Sequence, residues 1–199
     1  AKQIADKFKL SLIDLRLSQC DPTDLQGFPF VNKETGLAEF VPMDLFPLEN
    51  TPIPKGCNGF LLFLDELPSA SLAVQAAAYK LVLDKKVGSH TLHPKTAIIC
   101  AGNKMTDGAI VNKMGTAMQS RILHLELMAD VEGWIEWASK NDIDHRVTSY
   151  VHSRPENLHN FDPKHNDCTF TCPRTWEFAS DVIKAYGKED LKEIQPILA

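Results

Sequence analysis

Apolar residues recur along this chain at helical spacing, in alternation and in unbroken runs, and each pattern predicts a different element. Ile4 and Phe8, four residues apart, continue one face of a helix over residues 1–9. Leu10, Leu12, Ile13 and Leu15 then surround Asp14 and Arg16, which predicts a strand over 10–17. Cys20-Asp21-Pro22-Thr23-Asp24 is a turn with capping residues for a short helix. Residues 27–58 are rich in Gly, Pro and Asn, with short apolar pieces such as Phe40-Val41; they predict a loop with a hairpin region covering a sheet edge. Phe60-Leu61-Leu62-Phe63-Leu64 is unbroken rather than alternating, the pattern of a strand buried on both faces in a parallel sheet. Val74, Ala78, Leu81 and Val82 stripe a helix over 70–84. Lys85-Lys86-Val87-Gly88 turns into a short β-type segment around Thr91-Leu92. Residues 96–101 form a second buried strand ending at Gly102-Asn103, residues 108–120 a helix, and residues 122–127 a third strand.

After Met128 the pattern becomes all-helical. Helices are predicted over 131–140, with Trp134, Ile135 and Trp137, over 144–152, and over 173–186, where Pro173 suits a first turn. Strands alternating with helices, followed by helices alone, imply an α/β core over 1–128 and a small helical unit over 129–199. No internal repeat or low-complexity tract interrupts this order.

Composition narrows the function classes. The 199 residues carry a formal net charge of −5, so nucleic acid is not an expected partner, since phosphate neutralisation needs clustered Lys and Arg. No apolar run reaches the length of a bilayer span, and no membrane partner is expected. Five cysteines without framework spacing fit reduced thiols and a cytoplasmic location rather than a secreted disulfide scaffold. Cys168 and Cys172, with His159 and His165 nearby, match no standard spacing of zinc ligands.

Four segments carry candidate chemistry. Leu61-Leu62-Phe63-Leu64-Asp65-Glu66 delivers two carboxylates to the C-terminal end of a buried strand, where open α/β sheets bind ligands. An Asp there can hold the Mg²⁺ that bridges nucleotide phosphates, and a Glu beside it can take a proton from an attacking water. Ile98-Ile99-Cys100-Ala101-Gly102-Asn103 is a second buried strand ending in a polar group that can hydrogen-bond a γ-phosphate or its water. Ser120-Arg121-Ile122 sets an Arg before an apolar alternation, as an arginine finger requires. Pro173-Arg174-Thr175-Trp176-Glu177 sets an Arg in the first turn of a helix, against the macrodipole, a cost that an anionic partner offsets.

In this order the segments resemble the MoxR-type branch of the AAA+ ATPases. The resemblance runs through Gly59 to Leu67, Val74 to Asp84, Val87-Gly88, Ala101-Gly102-Asn103, Ser120-Arg121-Ile122 and Pro173 to Glu177, and covers roughly residues 1–186. It implies a P-loop NTPase-like three-layer parallel sheet followed by a helical lid, with ATP and Mg²⁺ as cofactors. It also implies that Asp65 binds Mg²⁺ through water, Glu66 is the catalytic base, Asn103 is sensor 1, Arg121 the arginine finger and Arg174 the sensor 2 arginine. A β-hairpin before the sensor 1 strand matches Lys86 to Leu92, and a loop near Asp21 to Gly27 would face a ring pore. The family's hexameric rings remodel client proteins in a chaperone-like manner, many with a partner carrying a von Willebrand A domain.

The sequence departs from the family at one place. It contains no G-x-x-x-x-G-K-[ST] pattern, the loop whose backbone N–H groups and Lys cradle the phosphates; its one Gly-Lys pair, Gly187-Lys188, is followed by Glu189. The family sets that loop immediately before the helix that residues 1–9 continue, so the upstream strand and loop are expected to be missing from this chain. That strand would lie between those ending at Asn103 and Leu127. Residues 1–199 alone are then expected to bind ATP weakly and to behave poorly as a monomer. Two other readings stand beside an ATPase: an AAA+-like assembly module that does not hydrolyse, and a phage-type DNA-handling ATPase.

Overall fold

The computed structural model describes residues 1–104, 111–164 and 169–186. The start of the helix predicted over 108–120, and His165 and Cys168, lie outside them. The chain divides into two compact units, Ala1–Leu123 and His124–Ala199.

The first unit is an α/β fold on a parallel sheet. Helix α1 (Lys2–Phe8) ends at Lys9 in the left-handed conformation and leads directly into strand β1 (Leu10–Arg16). A three-residue 3₁₀ turn and helix α2 (Pro22–Gln26) follow. Asp21 and Asp24 cap α2 reciprocally, as the predicted capping turn requires. Strand β4 (Gly59–Asp65) is the centre of a three-stranded sheet ordered β1-β4-β7, with β7 at Thr96–Cys100. Both neighbours run parallel to it, with Arg16 opposite Asp65 and Cys100 opposite Leu64. The central place explains the unbroken apolar run: Phe60, Leu61, Leu62 and Leu64 are all buried.

Helix α3 (Leu72–Asp84) starts at the Ser71 cap and buries Val74, Ala77, Ala78 and Leu81. These pack with Leu62 and Leu64 of β4, Leu17, Leu25, Phe46 and Leu92 in one core. The apolar periods read from the sequence meet there, strand face against helix stripe.

Two hairpins decorate this core. Strands β2 (Phe28–Val31) and β3 (Ala38–Val41) pair antiparallel, with Phe28 opposite Val41. They form a separate two-stranded sheet rather than pairing with an edge of the larger one, and every residue of both is exposed. Strands β5 (Lys86–Val87) and β6 (His90–Thr91) form the hairpin expected before β7, turning at Gly88 with φ +58°. The long loop after β3 docks on it through the Leu48–Leu92 bridge and the bond from Glu49 N to Thr91 O (3.0 Å).

Two expectations fail at the end of this unit. Within the described part of 108–120, only Thr116–Gln119 (α4) is helical. Gly115 is extended (φ −63°, ψ 144°) and Asn112 spends its amide on carbonyls of another segment, so the helix cannot run through them. Residues 122–127 form no strand. An alternating pattern needs a neighbour to supply backbone partners, and β7 has no strand on its far side among the described residues. Leu123, Leu125 and Leu127 are accordingly exposed.

The second unit is helical. Helices α5 (Val131–Lys140), α6 (His145–Ser153) and α7 (Pro173–Ala185) form where the sequence predicts them. Asp130 caps α5 by accepting from Gly133 N, and Asp144 caps α6 by accepting from Arg146 N. Trp134, Ala138, Val147, Val151, Leu158 and Ile183 make its core. Trp176 donates from its indole to Asn157 O (2.9 Å), and buried Ser180 accepts from Asp144 N (2.9 Å). Among the described residues, no helix is long and apolar enough to cross a membrane.

Candidate functional site

Parallel pairing brings the C-terminal ends of β1, β4 and β7 to one side of the sheet, so the polar residues that end each strand converge by register. Asp65 closes β4, and its Oδ1 accepts the Glu66 amide (3.0 Å). Among the described residues, Oδ2 makes no further hydrogen bond. A half-buried carboxylate oxygen at the mouth of a sheet is a suitable hard donor for a divalent cation or its water. Among the described residues, no three His, Cys, Asp or Glu side chains cluster as a metal site, so Asp65 would need ligands from the bound nucleotide or from water.

Glu66 has left-handed backbone angles (φ 57°, ψ 33°). A side chain at such angles costs about 1–2 kcal/mol, and strain of this kind persists only where the surroundings over-determine it. Two groups from the end of β1 engage the carboxylate: Ser18 Oγ donates to Oε2, and Arg16 Nε lies 3.6 Å from Oε1. The Arg16–Glu66 pair is half exposed, and such pairs contribute about 0–1 kcal/mol; its effect is on orientation more than stability. Arg16 is also the register partner of Asp65 across the strand pair.

Asn103 lies three residues beyond the end of β7 and is exposed. The turn leading to it is tied to the one after Glu66: Ala101 N donates to Leu64 O (2.9 Å) and Leu67 N to Ala101 O (3.0 Å). Gly102 is pressed against Pro68, where a Cβ would come within 2.1 Å of the ring. Asp65 and Glu66 thus end one strand, and Asn103 follows the end of its neighbour. Burial pushes the Cys100 thiol, at the end of β7, up to about 11.

Arg121 belongs to the same unit but follows a helical turn rather than opening a strand; it is exposed, and its Nη1 donates to Ala117 O (3.3 Å). Arg174 is exposed in the first turn of α7, in the second unit.

Sequence reasoning missed Arg16, Ser18, Gln75 and Asn112. A signal existed for Gln75, a lone amide inside the apolar stripe of α3. The contact of Arg16 and Ser18 with Glu66 depends on the β1–β4 register, which no local pattern states.

No family model matches the chain, and no curated protein matches it. Among solved structures, it is similar to a candidate ATPase from Cytophaga hutchinsonii ATCC 33406, over 92% of this chain and 48% of that one, at 16% identity and a TM-score of 0.42. It is also similar to NtrX from Brucella abortus, over 92% of this chain and 41% of that one, at 13% identity and a TM-score of 0.48. The chain spans less than half the length of either structure, and neither likeness bears on the residues of the site.

Proposed function

We propose that this chain is most of an AAA+ ATPase module of the MoxR type, coupling ATP hydrolysis to the remodelling of a protein partner. What supports the reading is one observation: a buried parallel strand ends in Asp65-Glu66 beside a neighbour whose end carries Asn103, the two turns joined by the bond from Leu67 N to Ala101 O. An acceptor for metal-bound water, a base and a polar group for the lytic water are the groups that hydrolysis of a phosphoanhydride asks of a protein.

In this reading a bound Mg²⁺·ATP supplies the scissile bond and the cation. Asp65 would hold the ion through water, and Glu66, now bonded to Ser18, would take a proton from the attacking water. Asn103 orients the same water. Arg121 would serve the site of a neighbouring copy in a hexameric ring, and Arg174 would be the sensor 2 arginine that the resemblance implies. The phosphate-binding loop is not among these residues, so the chain carries the metal-side and water-side groups without the cradle. A client protein, or a partner with a von Willebrand A domain, and a cytoplasmic setting complete the proposal.

The test is Mg²⁺·ATP hydrolysis by the native protein, expressed with whatever precedes these residues in its gene. Glu66→Gln should retain nucleotide binding and abolish turnover. Arg121→Ala should lower turnover only under conditions where the protein assembles. Binding and assembly without hydrolysis would instead favour a non-hydrolysing module, which the missing phosphate-loop pattern also suggests.

A further inference from the structure

The turn after the two carboxylates is held by side chains that no sequence motif includes. Its carbonyls at Pro68 and Ala70 each accept two hydrogen bonds from outside the turn. Gln75 Nε2 reaches Pro68 O (3.3 Å) and Ala70 O (3.2 Å). Asn112 contributes its backbone N–H to Pro68 O (2.7 Å) and its side-chain Nδ2 to Ala70 O (2.8 Å). All the partners are carbonyl oxygens, so both side-chain amides must present nitrogen to them.

Gln75 is only 2% exposed, on a helix face otherwise made of Val74, Ala77, Ala78 and Leu81. Burying an amide there is unfavourable unless it is bonded, and its bonds go to this turn, not to α3. Asn112 completes the clamp from the opposite direction in sequence. It lies beyond Asn103 and just before Gly115, whose N–H is held by the Tyr79 hydroxyl (3.0 Å) at the start of α4. The clamped residues begin immediately after Glu66, whose left-handed backbone needs such fixing.

We propose that Asn112, paired with Gln75, is a positioning residue for Glu66. It fixes the Leu67–Ala70 turn so that the Glu66 carboxylate is held in register with Asn103, and it does so from the segment that carries Arg121. The proposal deepens the ATPase reading and rests on it. Asn112 acts through the backbone of the turn, which its bonds to Pro68 O and Ala70 O hold. A lost clamp therefore misplaces the base without removing any group that binds nucleotide.

The experiment uses the native protein with Asn112→Asp, which keeps the shape but turns a donor into an acceptor facing Ala70 O, and Asn112→Ala, which removes the side-chain bond to Ala70 O and leaves the backbone bond to Pro68 O. Two quantities are read: steady-state hydrolysis of Mg²⁺·ATP, and hydrogen exchange of the Ser69 and Ala70 amides, both of which donate to Glu66 O. Misplacement of about 1 Å costs up to about 100-fold in rate. Both variants should lose about 10- to 100-fold in kcat with KM within about twofold, and exchange at Ser69 and Ala70 should quicken while β4 stays protected. Unchanged exchange overturns the clamp. Faster exchange with unchanged kcat, or a kcat loss matched by the fraction of unfolded protein, overturns the positioning role. If the unmutated protein does not hydrolyse ATP and Glu66→Gln changes nothing, the ATPase reading has failed instead; the exchange data then decide the clamp by themselves.

Discussion

Replacing Gly102 with alanine would place a Cβ 2.1 Å from Pro68 Cδ and 2.6 Å from Cγ. That is about 1.4 Å short of the ~3.5 Å at which carbon atoms pack well. The pyrrolidine ring cannot rotate away, and Pro68 is pinned through its carbonyl by Asn112 and Gln75. The segment that must move is therefore Ala101–Asn103, and its movement strains the bond from Leu67 N to Ala101 O. Gly102 does not have a positive φ, so the penalty is steric rather than conformational. Overpacking costs about 1–3 kcal/mol and a lost hydrogen bond about 1 kcal/mol more. Together these predict a fall of roughly 5–10 °C in the melting of the first unit. All three tryptophans of the chain, Trp134, Trp137 and Trp176, lie in the second unit, so their fluorescence is blind to this loss. Hydrogen exchange in β4 and β7 is the assay that reads it. Pro68→Ala removes the two clashing ring atoms, and the double variant should recover at least about 1 kcal/mol relative to additivity. A melting temperature unchanged within about 1 °C, or strictly additive variants, would refute the argument.

Two more predictions follow from the same chain of reasoning. Glu66→Gly should be more stable than Glu66→Ala by about 1 kcal/mol, because both lose the side chain and only alanine keeps the left-handed strain; equal melting temperatures would mean that Glu66 is unstrained. In the second unit, hydrogen bonds from the Arg146 side chain hold the Asp144 carboxyl down to about 2, from 3.8. A depressed carboxylate stabilises above its unfolded value, and that contribution is lost as pH falls from about 4 to about 2. Tryptophan fluorescence should therefore show the unit weakening over that window. Asp144→Asn, which keeps a good cap, should cost about 0.5–1 kcal/mol at pH 7 and only a small part of that by pH 2. Parallel stability curves for the two proteins across pH 2–4 would refute the assignment.

Elements whose cause is local were legible in the residues themselves. The run Phe60–Leu64, the stripe Val74–Ala78–Leu81, the capping turn at Asp21 and the first turn at Pro173 each carry their own explanation. Residues 122–127 show the limit of that reading. Ile122, Leu123, Leu125 and Leu127 alternate as a strand should, yet no strand forms, because alternation describes one chain and a strand is a relation between two. Within the helix predicted over 108–120, residues 111–115 are not helical for a related reason: Asn112 and Gly115 have bonding partners at Ala70 and Tyr79 that a helix would forfeit.

Legible in the residues alone were a buried strand leading into Asp65-Glu66, another just before Gly102-Asn103, and a helical unit after them. Burial drives those outcomes through short-range periodicity, which is written residue by residue. The place of β4 between β1 and β7, the reach of Arg16 and Ser18 to Glu66, and the grip of Asn112 and Gln75 on the turn beyond it come from long-range packing. These are contacts between residues up to 50 positions apart. They depend on which strands pair and in what register, and that is set by the packing of the whole core rather than by any segment within it.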